Sequence, residues 1–235
     1  MDQEFEQEDG PQAVELNEVE VRVLGALIEK EWTTPDYYPM TLNGLTAACN
    51  QKSNRDPVLA LDEAVVLRAL DALRSRSLIS LVQSAGSRSN KYMQRLTEVL
   101  GLEKLQIAVL CVLMLRGPQT VGEIRGRTTR IHDFADLQEC QDVVDGLCER
   151  EAGALVFQLP RQTGRKESRY VHLLAGAPDV EDLAEQTEHE RPEAARISLQ
   201  MEDERIRALE SDVQRLEQEL QRLREEFAVF RQQFE

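Results

Sequence analysis

Residues 50–57 read NQKSNRDP, with no large apolar side chain, although apolar-periodic sequence runs on both sides. The segment is either a recognition surface or a connection between two helices. Asn50, Ser53, Asn54 and Asp56 are residue types that cap helix ends and stabilise turns, and Pro57 ends any helix before it. A connection therefore accounts for most of the segment. Lys52 and Arg55 are left over, because a turn requires no cation. They are candidates for phosphate contact, and Arg55 has a second outlet in an ion pair with Asp56 or with an acid of the first helix.

Upstream, Leu16, Val19, Val23, Leu24, Leu27 and Ile28 recur with the spacing of an amphipathic helix. It stops near TTPDYYP (33–39), where two prolines forbid continuation. Thr41 can cap a second helix on which Leu42, Leu45 and Cys49 recur at i, i+3 and i+7. Downstream, LDEAVVLRALDALRSRS (61–77) reads as a third helix, with Asp62 and Glu63 at its positive end and Val66, Leu70 and Leu73 as its buried stripe. LISLV (78–82) and KYMQRL (91–96) then read as strands around the turn residues QSAGSRSN (83–90).

The order then repeats. EKLQIAVLCVLMLRG (103–117) gives a first helix, TVGEIRGRTTRI (120–131) a second, and DLQECQDVVDGLCERE (136–151) a third with Leu137, Cys140, Val144 and Leu147 on one face. ALVFQLP (154–160), RQTGRKES (161–168) and RYVHLL (169–174) make a second hairpin. Asp62 and Asp136 lie 74 residues apart and Tyr92 and Tyr170 lie 78 apart, a near-constant offset that favours duplication. Three helices closed by a hairpin is the winged-helix plan, so the expected fold is mainly α, with two tandem winged-helix domains at 15–97 and 98–175. Each is near the lower limit of independent stability, so the two are expected to pack together.

Charge is uneven. Residues 1–20 carry −8, residues 21–175 carry +2 and residues 176–235 carry −9, which gives the net −15. The low pI of the whole chain thus belongs to its ends, and does not exclude a nucleic-acid partner for the middle. Residues 1–14 read as an acidic extension and 176–198 as an acidic linker. The start of the chain has neither a basic nor an apolar signal region, and the longest apolar run, 107–115, is far short of the roughly 20 residues a membrane span needs. A soluble, cytoplasmic protein with no membrane partner is expected. Cys49, Cys111, Cys140 and Cys148 have no C-x-x-C spacing and read as buried reduced thiols.

Past the linker, in 199–235, Ile206, Leu209, Val213, Leu216, Leu220, Leu223, Phe227 and Phe230 form a heptad seam. Glu219 with Arg224 and Glu226 with Arg231 would attract in a parallel dimer, whereas Asp212 and Glu217 would repel. A homodimer, or a partner helix, is the expectation for this segment.

LTAACNQKSNRDPV (45–58), LRGPQTVGEIRGR (115–127) and RKESRYVHLL (165–174) resemble the signature stretches of the YceH-like family of uncharacterised bacterial proteins. The resemblance runs from about Leu16 to Leu174. It implies a pair of winged-helix domains and implies no activity. The acidic N-terminal extension departs from the family pattern.

The residues offer no catalytic constellation. His132, His172 and His189 lack metal-ligand spacing, and there is no phosphate-binding glycine loop and no nucleophile elbow. A non-enzymatic protein without cofactor or metal is expected. For double-stranded DNA, the third helices are poor readers: the second carries Asp136, Glu139, Asp142, Asp145 and Glu149 against Arg150 alone. The hairpin turns are better, with Arg88 and Lys91 on the first and Arg161, Arg165, Lys166 and Arg169 on the second. DNA binding through these cations, in transcription or chromosome maintenance, is the leading expectation. The alternative is an acidic protein-interaction scaffold, resembling in architecture the segregation and condensation protein B type.

Overall fold

The computed structural model describes residues 15–83, 90–161 and 167–176. Its first half runs α1 (Glu18–Thr33), a 3-10 turn (Pro35–Tyr37), β1 (Met40–Thr41), α2 (Leu42–Cys49), α3 (Glu63–Ser75), β2 (Ile79–Val82) and β3 (Lys91–Gln94). A short α4 (Leu96–Leu100) leads into α5 (Lys104–Arg116), α6 (Val121–Thr128), α7 (Leu137–Cys148), β4 (Val156–Gln158) and β5 (Tyr170–His172). The protein is mainly helical, with seven α-helices and two small antiparallel sheets among the described residues.

Local chemistry starts these helices where the sequence places them. The Thr41 hydroxyl accepts from Gly44 N at α2, and Asp62 accepts from Val65 N at α3. Thr120 and Asp136 do the same for α6 and α7. The second and third helices of the two halves thus start on caps of the same residue type, whereas the first helices start on Asn17 and Glu103. The first half also has a strand that periodicity did not reveal, where the second has a single bridge. Met40 pairs with Tyr92, adding β1 to the hairpin in the order β1-β3-β2, and Gln119 forms a lone bridge with Tyr170 just before α6. Two residues are too few to leave a period-two signal.

The halves share one apolar core, and all the described residues fall within one compact unit, Met1–Val180. At its centre α1 packs on α5. Gly25 sits at the crossing: a Cβ there would lie 3.0 Å from Leu115 Cδ2 and 3.2 Å from Met114 Cβ. Cys111 Sγ approaches Gly25 O at 3.6 Å. Because each central helix is covered on several sides, residues 20–29 of α1 and 107–115 of α5 are all buried, which departs from the amphipathic pattern read for α1. Leu16 N donates to Leu174 O at 2.7 Å, joining the start of the first half to the end of the second.

Two further details differ from expectation. Leu137, assigned to the buried stripe of α7, is 53% exposed, because it occupies the first turn, beyond the reach of the core. Cys49, Cys111 and Cys140 are buried free thiols, whereas Cys148 is only half-buried. The heptad residues Ile206 to Phe230 lie outside the described residues, as do the extension 1–14 and most of the linker.

Candidate functional site

The 50–57 segment joins α2 to α3 and is packed on both halves. Arg55, with none of its side chain exposed, donates from Nη1 and Nη2 to Glu29 on α1 at 3.2 and 2.7 Å. Its Nε and Nη2 also reach Ala48 O at 3.2 and 2.9 Å. Arg22, likewise buried, donates to Cys49 O at 3.3 Å and to Pro57 O at 2.7 Å. Two guanidinium groups therefore satisfy the carbonyls that α2 leaves unpaired at its negative end. Asn50 bridges the loop by donating to Leu61 O and accepting from Leu61 N. Asp56 N donates to Leu115 O at 2.9 Å and Arg116 donates to Asn54 Oδ1, which ties the loop to α5.

These contacts correct the reading of Arg55 as a phosphate ligand. Its donors are spent inside the protein, and the ion pair with an acid of α1 is the outlet it takes. Burial pushes the Glu29 carboxyl up, but hydrogen bonding and charge from Arg55, helped by Lys30, outweigh burial and hold it below the usual carboxylate range. Burial pushes the neighbouring Cys49 thiol up to about 12, so it is an inert packing residue.

Arg169 needs the same correction. It is largely buried at the base of the second hairpin and donates from Nη1 to Pro118 O and Glu123 Oε2, both at 2.8 Å. Lys52 and Arg161 are exposed and Lys91 is half-buried. Arg88, Arg165 and Lys166 lie outside the described residues. Four arginines that sequence reading passed over surround α6. Arg125 donates to Phe134 O and Ala135 O, Arg127 pairs with Glu123 at 3.7 Å, Arg130 is exposed, and Arg116 feels the charges of Arg127 and Arg55. The cue was available in RGRTTR (125–130), which ends the second helix of its repeat and leads into the connection that NQKSNRDP makes in the first repeat.

The other notable surface is acidic. An open groove of about 470 Å³ lies between the start of α5 and α7, lined by Leu105, Val143 and Gly146 and by the carboxylates Asp136, Glu139 and Asp142. Glu139, Asp142, Val143 and Gly146 recur at i, i+3, i+4 and i+7 and so form one stripe of α7. Asp136 and Glu139 accept backbone N–H groups at the helix start, and Asp142 accepts from Gln138. Among the described residues, no cation pairs with any carboxylate of α7. By contrast, α3 carries Arg68 and Arg74 beside Asp71, with Arg74 and Asp71 paired at 3.4 Å.

No cluster of three or more metal-binding side chains occurs among the described residues. His132 packs edge-on against Phe134 with ring centroids 4.7 Å apart, and burial pushes His172 down to about 4. No described helix is long and apolar enough to cross a membrane.

Residues 16–165 match the family model described as "Protein of unknown function, DUF480". A UPF0502 protein of Geotalea daltonii is 56% identical over 199 residues, which covers 85% of this chain and 88% of the relative. A UPF0502 protein of Geobacter sulfurreducens is 54% identical over 199 residues, covering 84% and 88%. One from Vibrio atlanticus is 46% identical over 202 residues, covering 84% and 90%. The matched span holds both three-helix repeats and the first two of the three YceH-like motifs, and the chain belongs to the DUF480 family of bacterial UPF0502 proteins.

Proposed function

We propose that the protein is a non-enzymatic cytoplasmic scaffold built from two winged-helix units, with protein rather than DNA as its main partner. The winged-helix reading draws support from the order helix, short strand, helix, helix, hairpin in the first half, and from the Gln119 bridge at the equivalent place in the second. The observation that carries the partner class is α7. It holds the position of the groove-reading third helix, yet its sequence contains three side chains of the Asp/Glu type, with a fourth in the cap Asp136, and no Lys or Arg. Carboxylates facing phosphates repel, and burying them unpaired is costly. The heptad seam of 199–235 supports a homodimer or a second partner helix.

The test measures labelled duplex DNA and candidate protein partners on the same full chain. The expected result is one stoichiometric protein complex and no salt-sensitive DNA retention. DNA binding whose affinity falls with salt at a log–log slope of about −4 to −5, the signature of four to six neutralised phosphates, overturns it.

DNA binding in transcription or chromosome maintenance is the second reading, and the exposed cations favour it. Lys52 and Arg161 stand free of ion pairs among the described residues, and Arg130 is exposed next to α6. Under this reading, Lys52→Glu with Arg161→Glu abolishes retention at low salt.

A further inference from the structure

We propose, on the strength of the protein-interaction reading above, that the α5–α7 groove docks a cationic amphipathic helix of a partner protein. Three observations carry it. First, the groove couples two chemistries. Leu105 and Val143 supply apolar surface, and Leu137 stands 53% exposed on the same helix start. Asp136, Glu139 and Asp142 supply charge with no cation opposite them among the described residues. An apolar partner would strand these carboxylates, and a nucleic acid would repel them. A partner that brings Lys or Arg around an apolar stripe satisfies both halves of the surface.

Second, the charges and the apolar residues are in register. Glu139, Asp142, Val143 and Gly146 follow one helical stripe, so an opposing helix with its own apolar seam and flanking cations meets them along a common axis.

Third, Gly146 lies within α7, where glycine destabilises a helix relative to alanine. A Cβ built there meets nothing within 4 Å among the described residues, so none of them requires the glycine. Its effect is to leave the groove open and let an incoming backbone approach α7 closely.

The probe is a synthetic 18-residue peptide with leucines at helical spacing, Lys and Arg elsewhere and no tryptophan. A shuffled peptide of identical composition, lacking the stripe, is the control. Binding to the full chain is read by anisotropy of the labelled peptide and by emission of Trp32. This is the chain's one tryptophan, and it lies 4.7 Å from the Nζ of Lys104, the neighbour of the groove residue Leu105. Gly146→Phe fills the groove without altering charge, and Asp142→Lys reverses charge without filling it. Circular dichroism checks that both variants fold. The striped peptide is expected to bind at physiological salt, with the shuffled peptide and both variants each weaker by at least tenfold. Equal binding of the two peptides, or undiminished binding by Gly146→Phe, overturns the groove as the site and leaves a merely acidic surface. No binding of the striped peptide also overturns it, while the scaffold reading still stands or falls separately on protein partner against DNA. Displacement of bound peptide by duplex DNA overturns both.

Discussion

Arg55 on the α2–α3 connection and Glu29 on α1 form a buried ion pair, with Nη2 2.7 Å from Oε2 and the arginine side chain wholly shielded. Glu29 keeps a second cation in Lys30 at 3.1 Å, but Arg55 alone also satisfies Ala48 O and Asn54 O. Removing one partner of a buried pair costs about 3–5 kcal/mol, because the other charge is stranded. Arg55→Met is therefore expected to lower unfolding stability by about that amount in urea titration. Adding Glu29→Met is expected to recover part of the loss. Lys52→Met, at an exposed position of the same loop, is expected to change stability by less than about 0.5 kcal/mol.

Stability is expected to fall with acid in two windows. The folded-state pKa of His172 is depressed by burial from 6.5 to about 4, so the unfolded chain binds the extra proton first as pH drops. Its contribution is complete above about 6.5 and is lost toward 4. Glu29 and Glu123 also have depressed folded pKa values, each raised by burial but lowered further by its partners, chiefly Arg55 for Glu29 and the Thr120 N–H and Arg169 for Glu123. Their contribution is present above the unfolded value of 4.5 and disappears below it. Urea midpoints measured from pH 7.5 to 3 test this. His172→Gln is expected to flatten the upper window and Arg55→Met to shallow the lower one.

The helices were legible because each combines a strong apolar period with a local start signal, as at Thr41 and Asp62, where cap and stripe agree. Asp136 had the same form, and it made the duplication visible. What escaped was whatever depends on contact between elements distant in sequence. The burial of residues 20–29 of α1 on all sides follows from α5 crossing it at Gly25, and no local period encodes a crossing. The fate of Arg169 escaped because Glu123 lies 46 residues away, whereas the pair of Arg55 with an acid of the first helix, 26 residues away, was legible as one of its outlets. The groove was half legible: its carboxylates stand in the sequence, but Leu105 joins them only through packing of α5 beside α7.

Gly25→Val is expected to separate packing from helix propensity. Valine carries the Cβ into Leu115 and Met114 and adds two methyl groups at the α1–α5 crossing. Overpacking of this kind costs about 1–3 kcal/mol. Calorimetry is expected to show a lower midpoint with the helices retained. Unchanged stability would mean that α1 and α5 do not cross so closely.

Gly146→Ala is expected to move stability in the opposite direction. The position is inside α7, its backbone is ordinary helix, and an added Cβ encounters no atom of the described residues within 4 Å. Alanine thus adds no clash, and it removes conformational freedom from the unfolded chain, a gain of about 0.4–1 kcal/mol. Urea unfolding measures it directly, and a destabilised Gly146→Ala would mean that the groove side of α7 is occupied by part of this same chain. Because one methyl is far smaller than the groove, the alanine variant also keeps most of the opening. Its gain in stability with little change in peptide binding, set beside the binding loss of Gly146→Phe, separates the cost of glycine to the helix from the value of the space it leaves.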